Sequence, residues 1–155
     1  MLIYRYFNSL DGLIAAYIQQ HDYWINFDEQ LPDEEHIGEF IKEIFKRQIA
    51  MLRQSYTLRR LYRWELTSNN IFIKELREKR EAKGVWLVDA VSKLSKHPQK
   101  ETAAMASILT AAISYLSLLE ENCPVFNGIN IQTEDGWKEL EEGINILIDI
   151  WLEKR

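Results

Sequence analysis

The chain has 155 residues, 46% hydrophobic and 28% charged, with a formal charge of −5. This balance excludes a disordered chain, and the length holds one domain whose core needs no staples. A single cysteine, Cys123, excludes an internal disulfide framework and a cysteine-rich zinc site, and six glycines with three prolines are too few for a turn-rich sandwich or barrel.

Long helices are therefore expected. Ser9 reads as the N-cap of the first, with Leu10, Leu13, Ile14, Tyr17, Ile18, His21, Trp24 and Ile25 recurring along one helical face. The segment 26–33, with Pro32, breaks it. A second helix starts near Asp33, with Glu34 and Glu35 in a favourable first turn and an inward stripe of Ile37, Phe40, Ile41, Ile44, Phe45, Gln48 and Leu52. A third runs over about 57–66 with Leu58, Leu61, Tyr62 and Leu66 inward. Thr67, Ser68, Asn69 and Asn70 form a cap-and-turn cluster, after which a long helix extends to about Leu94, with Gly84 as a point of kinking. His97 and Pro98 stop it. A fifth helix covers about 100–121, and a loop over 123–132 contains Asn127-Gly128. Thr133 caps the last helix, with Glu134 and Asp135 in its first turn.

The last two helices differ from the rest. The final one carries a stripe of Trp137, Leu140, Ile144, Leu147, Ile148 and Trp151, and Ile146 and Ile150 begin a second. The fifth is apolar nearly all round and rich in small residues, among them Ala103, Ala104, Ala106, Ser107, Ala111 and Ala112. A helix apolar on two sides must bury two sides, and small residues permit close helix approach. Two arrangements satisfy this: a central helix pair in a monomer, or a homodimer. The homodimer surface is expected at Ala104, Ser107, Ala111, Tyr115, Ile144, Leu147, Ile148 and Trp151.

Charge is unevenly spread. The segment 42–83 holds twelve Lys or Arg against five Glu, a pattern of solvated helix faces or of a basic surface. The first residues lack the pattern of a signal peptide, and the longest weakly polar stretch, 102–119, is interrupted by Ser107, Thr110, Ser114 and Ser117, so no membrane partner and a cytoplasmic address are expected.

Catalytic constellations are missing. The chain shows no phosphate-cradling glycine loop, no histidine pair at metal-ligand spacing and no serine in a glycine-flanked elbow, so neither enzyme activity nor a cofactor or metal is expected. Glu65, if buried, needs a cation from Arg59, Arg63, Arg77 or Arg80. Tyr62, Trp64, Phe72, Trp86 and Tyr115 lie on helices expected to converge, either as plain core or as the wall of an apolar small-molecule cavity with Tyr17 and His21 as polar edges.

Two stretches carry a family resemblance. Leu2-Ile3-Tyr4-Arg5-Tyr6-Phe7-Asn8-Ser9-Leu10-Asp11-Gly12-Leu13 resembles the end of the DNA-reading helix and the start of the next helix in TetR-family transcriptional regulators; Tyr4, Tyr6, Phe7, Ser9 and Leu13 match, while Leu10 stands where the family commonly has a phosphate-contacting Lys. Leu58-Arg59-Arg60-Leu61-Tyr62-Arg63-Trp64-Glu65-Leu66, Asn70, the 77–80 helix, Phe126-Asn127-Gly128-Ile129-Asn130 and Thr133-Glu134-Asp135-Gly136-Trp137 resemble its regulatory domain more loosely. The resemblance implies an all-α fold whose last two helices form a four-helix bundle across a dimer. It implies a small hydrophobic effector held between helices four to eight of the family scheme, and repression of transcription. On this reading residues 1–8 are a remnant of the recognition helix with Tyr4, Arg5 and Tyr6 as relic DNA contacts, and 9–155 form the effector-binding and dimerisation domain. DNA binding then requires a complete head upstream of Met1. The alternative is a truncated protein that binds no DNA and modulates a complete regulator by forming mixed dimers.

Overall fold

The computed structural model describes residues 2–154, which form seven α-helices and one short hairpin. Helix α1 (Leu2–Phe7) turns directly into α2 (Leu10–His21). Ser9 caps α2, its Oγ accepting from Gly12 N at 3.0 Å, and Asn8 makes the corner at φ 61°. The joint is tight: a Cβ at Gly12 would lie 2.1 Å from the Phe7 carbonyl oxygen, so only glycine fits.

Helix α2 ends earlier than its apolar spacing suggests. Asp22 takes an extended backbone, its N–H donates to Ile18 O at 2.8 Å, and its Oδ1 accepts from Ile25 N at 2.8 Å. This local side-chain turn competes with further helix, so Trp24 and Ile25 leave the α2 face. The buried side is Gly12, Ala15 and Ile18, small enough to bring α2 close to its neighbours, while Leu10, Tyr17 and His21 are exposed.

Asp33 caps a single 3₁₀ turn (Glu34–His36), and α3 (Ile37–Gln54) follows. Ile37, Ile41, Ile44, Phe45, Gln48, Ile49 and Leu52 are buried along one side of α3; Phe40 is half-buried. Each large apolar side chain in such a stripe contributes about 1.5–3 kcal/mol. Ser55 caps α4 (Tyr56–Thr67) through Leu58 N. Here Glu65, not Leu66, takes the inward position, and Leu66 is 71% exposed. The ion pairs that Glu65 makes with α5 set that rotation.

Asn70 caps α5 (Ile71–Ser95), which runs through Gly84 as unbroken helix and stops at the left-handed Lys96. Helix α6 (Gln99–Leu119) buries Thr102, Leu109, Ile113 and Ser117 and packs on α3 and α5. By length and composition alone α6 is apolar enough to cross a membrane, which corrects the expectation that its hydroxyl residues disqualify it. Serine and threonine in a helix can return their hydroxyls to the preceding turn and so interrupt it little.

The expected loop over 123–132 contains a hairpin, β1 (Val125–Phe126) antiparallel to β2 (Ile129–Asn130). Asn127 and Gly128 both have positive φ, the two-residue turn that suits strand twist. Thr133 caps α7 (Glu134–Glu153), whose Trp137 and Ile148 reach the main core. That core centres on α3, with Phe27, Leu87, Val91, Leu109 and Ile113 around it. A smaller cluster of Ile18, Ile73 and Leu76 joins α2 to α5.

The basic segment is spent internally. Nine of its twelve cations pair with carboxylates, among them Lys42 with Asp149, Arg53 and Arg59 with Glu120, Arg60 and Arg63 with Glu121, and Arg80 with Asp22 and Glu65. Its charge excess ties elements together across the fold.

Candidate functional site

Three spaces border Trp24: a small apolar pocket of about 80 Å³ between α3, α5 and α6, and two that share further wall residues. Of these two, one is a cleft of about 710 Å³ between α5 and α6, with Val85, Val88, Ala103 and Ala106 on its walls and Arg77, Glu81 and Lys100 among its polar groups. The other is a chamber of about 190 Å³ between α3, α4, α5 and α6, bordered by Gln48, Met51, Leu52, Tyr62, Glu65, Leu118 and the exposed Leu66, so it too reaches the surface. Trp24, Arg80 and Thr110 border both.

The chamber's polar wall is a buried ion network. Asp22 is 1% exposed, and its Oδ2 accepts from the Tyr62 hydroxyl and from Arg80 Nε, each at 2.6 Å. The other face of the Arg80 guanidinium forks onto the Glu65 carboxylate at 2.5 and 2.9 Å, and Arg77 donates to the Glu65 backbone carbonyl at 2.8 Å. The guanidinium also lies 5.0 Å from the Tyr62 ring centre. Burial, then the Asp22 charge, push the Tyr62 hydroxyl well above the usual phenol range, so it stays protonated and donates. Burial opposes the charge on Arg80, but its bonds to Glu65 and the charge of Asp22 outweigh that and raise its pKa. Glu65 therefore does find its cation. The pair sits in the wall of a cavity, at the carboxyl end of α2.

Two nearby residues carry unsatisfied atoms. Gln48 is 1% exposed; its Nε2 faces Thr110 O at 3.4 Å and Ser114 Oγ at 3.3 Å, and its Oε1 has no partner. The indole N–H of Trp24 is also buried without an acceptor. They are two of six such atoms among the described residues, with Arg59 Nε, Ser95 Oγ, Ser117 Oγ and Trp151 Nε1, and all six are closed off from water.

The expected ligand residues are not brought together. Of the seven, only Tyr62 borders the chamber. Tyr17 and His21 stack on each other at 4.2 Å on the exposed side of α2. Trp64 packs on the small α2–α5 cluster. Phe72 lies against the α1–α2 joint, its ring edge 3.3 Å from the position of a Gly12 Cβ. Trp86 is 46% exposed beside Phe27, and Tyr115 is 58% exposed with its ring edge-on to Phe126. The chamber instead uses Asp22, Trp24, Gln48, Arg80 and Ser114. One signal for them was readable: Gln48 is a polar residue inside the apolar stripe of α3, a placement that needs a reason.

The outward residues of the last two helices form a separate feature. On α6, Ala104, Ser107, Ile108, Ala111 and Tyr115 are exposed. On α7, Gly143, Ile146, Leu147 and Ile150 are exposed. Three expected interface residues lie elsewhere. Ile148 is fully buried in the protomer's own core, Ile144 is half-buried against it, and half-buried Trp151 lies tilted against His97 with ring centres 4.2 Å apart. These three share the inward stripe with Trp137, and the open stripe is one helical step away, at 143, 146, 147 and 150. Ile108, Ile146 and Ile150 complete the open faces. At the amino terminus Tyr4, Arg5 and Tyr6 are exposed on α1. Among the described residues no three His, Cys, Asp or Glu are grouped to hold a metal. The chain matches no family model, no curated protein and no solved structure.

Proposed function

We propose that this chain is the ligand-sensing and dimerisation part of a TetR-like transcriptional regulator. The observation that carries the reading is the pair of open apolar faces on α6 and α7. Each helix buries one side in the protomer, and Ile108, Tyr115, Ile146, Leu147 and Ile150 stand outside at 47–66% exposure. A second copy, seated symmetrically, covers both faces at once. The small residues Ala104, Ala111 and Gly143 between the large ones let helix backbones approach.

The arrangement of α2 supports a sensing role. Its carboxyl end holds Asp22 in the chamber wall, and its amino end is locked under α1 at Gly12. A ligand that favours one placement of Asp22 and Arg80 therefore biases α1, which carries Tyr4, Arg5 and Tyr6. The bias equals the ligand's difference in affinity for the two states. In a dimer, that movement changes the spacing of two DNA-contacting ends and so their fit to two half-sites. Repression as the outcome rests on the family resemblance alone.

The test is a pulsed-resonance distance between spin labels at Tyr6→Cys in a Cys123→Ser background. The expected result is one inter-protomer distance that shifts when a ligand occupies the chamber. Absence of any inter-protomer distance contradicts the proposal.

A further inference from the structure

We infer that the buried His97 ring carries a proton on both nitrogens and, as an imidazolium, ties the carboxyl ends of α5 and α7 together, a clamp that opens when the proton is lost. The link lies within one protomer and does not depend on the regulator reading. His97 sits in the corner between α5 and α6 and is 5% exposed. Its Nδ1 lies 2.9 Å from Ser95 O and its Nε2 lies 2.8 Å from Trp151 O, both aligned for hydrogen bonds. Both partners are carbonyl oxygens, which only accept. A neutral imidazole has one N–H and one lone pair, so either neutral tautomer sets a lone pair against a carbonyl oxygen. Only the doubly protonated ring donates at both places. A flipped ring offers no alternative, because a C–H approaches a carbonyl oxygen only to about 3.3–3.6 Å.

The surroundings favour the charge. Ser95 is the last residue of α5, and Trp151 lies in the last turn of α7. Carbonyls at the carboxyl end of a helix lack partners further along the helix and carry the negative end of its dipole, and here two helices direct one such carbonyl each at the same ring. Hydrogen bonds from a charged donor are stronger than neutral ones, and the Trp151 indole at 4.2 Å adds an aromatic face. These contacts oppose the cost of burying a cation. The corner is also held in place: Ser92 Oγ donates to His97 O at 2.8 Å, and Lys96 turns the chain at φ 59°.

Neighbouring charges do not take over the proton. On α5 and the corner, Lys93 pairs with Asp89 and Lys96 with Glu34 of the 3₁₀ turn. Between α3 and α7, Lys42 pairs with Asp149. Glu35 of the 3₁₀ turn, Lys100 and Glu101 at the start of α6, and Glu153 and Lys154 at the end of α7 are exposed. Among the described residues no carboxylate oxygen comes within 4.0 Å of a His97 ring nitrogen. The two carbonyls therefore decide the ring's state. Loss of one proton turns one of the two bonds into a repulsion, and only in the folded chain, so stability falls as pH rises through the histidine range. Ile150, beside Trp151, belongs to the open apolar side of α7, so the same event loosens that side.

The test is nuclear magnetic resonance of the full chain, reading the histidine ring nitrogens and amide hydrogen exchange at about pH 6 and about pH 8. At the lower pH both His97 nitrogens are expected to carry protons that exchange slowly, which sets them apart from the exposed rings of His21 and His36. At the higher pH the protection factors of the amides at Trp151, Leu152 and Glu153, corrected for intrinsic exchange, are expected to fall at least tenfold. His97→Gln has no proton to lose, so its protection over the same amides should not change between the two conditions. One protonated nitrogen on His97 at about pH 6 would overturn the inference. So would equal protection of the parent at both pH values, or a fall that persists in His97→Gln. The parent spectra decide even if the variant does not fold.

Discussion

Helices α3 and α6 are both long and both central, yet they use their apolar residues differently. Helix α3 is two-toned: Ile37, Ile41, Ile44, Phe45, Ile49 and Leu52 go inward, and Glu39, Glu43, Lys46 and Arg47 line the other side. Helix α6 has no charged residue between Glu101 and Glu120, so composition marks no outside. Only packing separates its sides, with Leu109 and Ile113 buried on one and Ile108 and Tyr115 exposed on the other. The first helix is finished within a single chain, whereas the second leaves an apolar surface of the kind that marks an interaction site.

The sharpest way to break this contrast is to truncate matched positions. Leu52→Ala on α3 and Ile113→Ala on α6, both 1% exposed, should each lower protomer stability by about 2–5 kcal/mol in denaturant titrations. A much smaller loss at Ile113 would mean that α6 has no committed inner side. Next in size is Ile108→Glu, five residues away on the same helix. It should leave protomer stability within about 0.5 kcal/mol and raise the dimer dissociation constant at least tenfold, about 1.4 kcal/mol. A large loss of protomer stability would place Ile108 in a core and cancel the contrast.

The smallest effect concerns what holds α6 in place. Glu121, just beyond α6, accepts from Arg63, Tyr56 and Arg60 of α4. The Arg63 and Tyr56 bonds, aided by Arg60, hold its carboxyl at about 2, below its ordinary 4.5. A depressed carboxylate pKa adds stability that is complete above the ordinary value and is lost as pH falls through the folded one. Glu121→Gln should therefore flatten the acid limb of a thermal-stability profile between pH 4.5 and about 2. An unchanged slope would show that this tether contributes nothing.

Much of the helical frame could be read from residue pattern. Ser9, Asp33, Asn70 and Thr133 each cap a helical segment through a side-chain oxygen, and α3 shows its inner face in its spacing. Failures came where a side-chain bond overrode periodicity. Asp22 ends α2 by capturing Ile25 N, and Glu65 turns α4 by reaching Arg80, which leaves Leu66 outside. The α7 face was misphased because its inward and outward apolar stripes adjoin, and composition alone does not say which one the core takes. The chamber was harder still. Its residues come from α3, α4, α5, α6 and the turn after α2, and aromatic content drew attention to Trp86 and Tyr115, which are on the surface. Gln48 was legible as an oddity in the α3 stripe, but its orphaned oxygen exists only once Thr110 and Ser114 are set against it.

Sedimentation equilibrium on the unmodified chain tests the central claim most directly. The expected result is a species of twice the 18.4 kDa chain mass, reverting toward a single chain in Ile108→Glu. A mass of 18.4 kDa at every concentration would mean that the outer sides of α6 and α7 remain in water, and it would contradict the reading of this protein as a paired sensor.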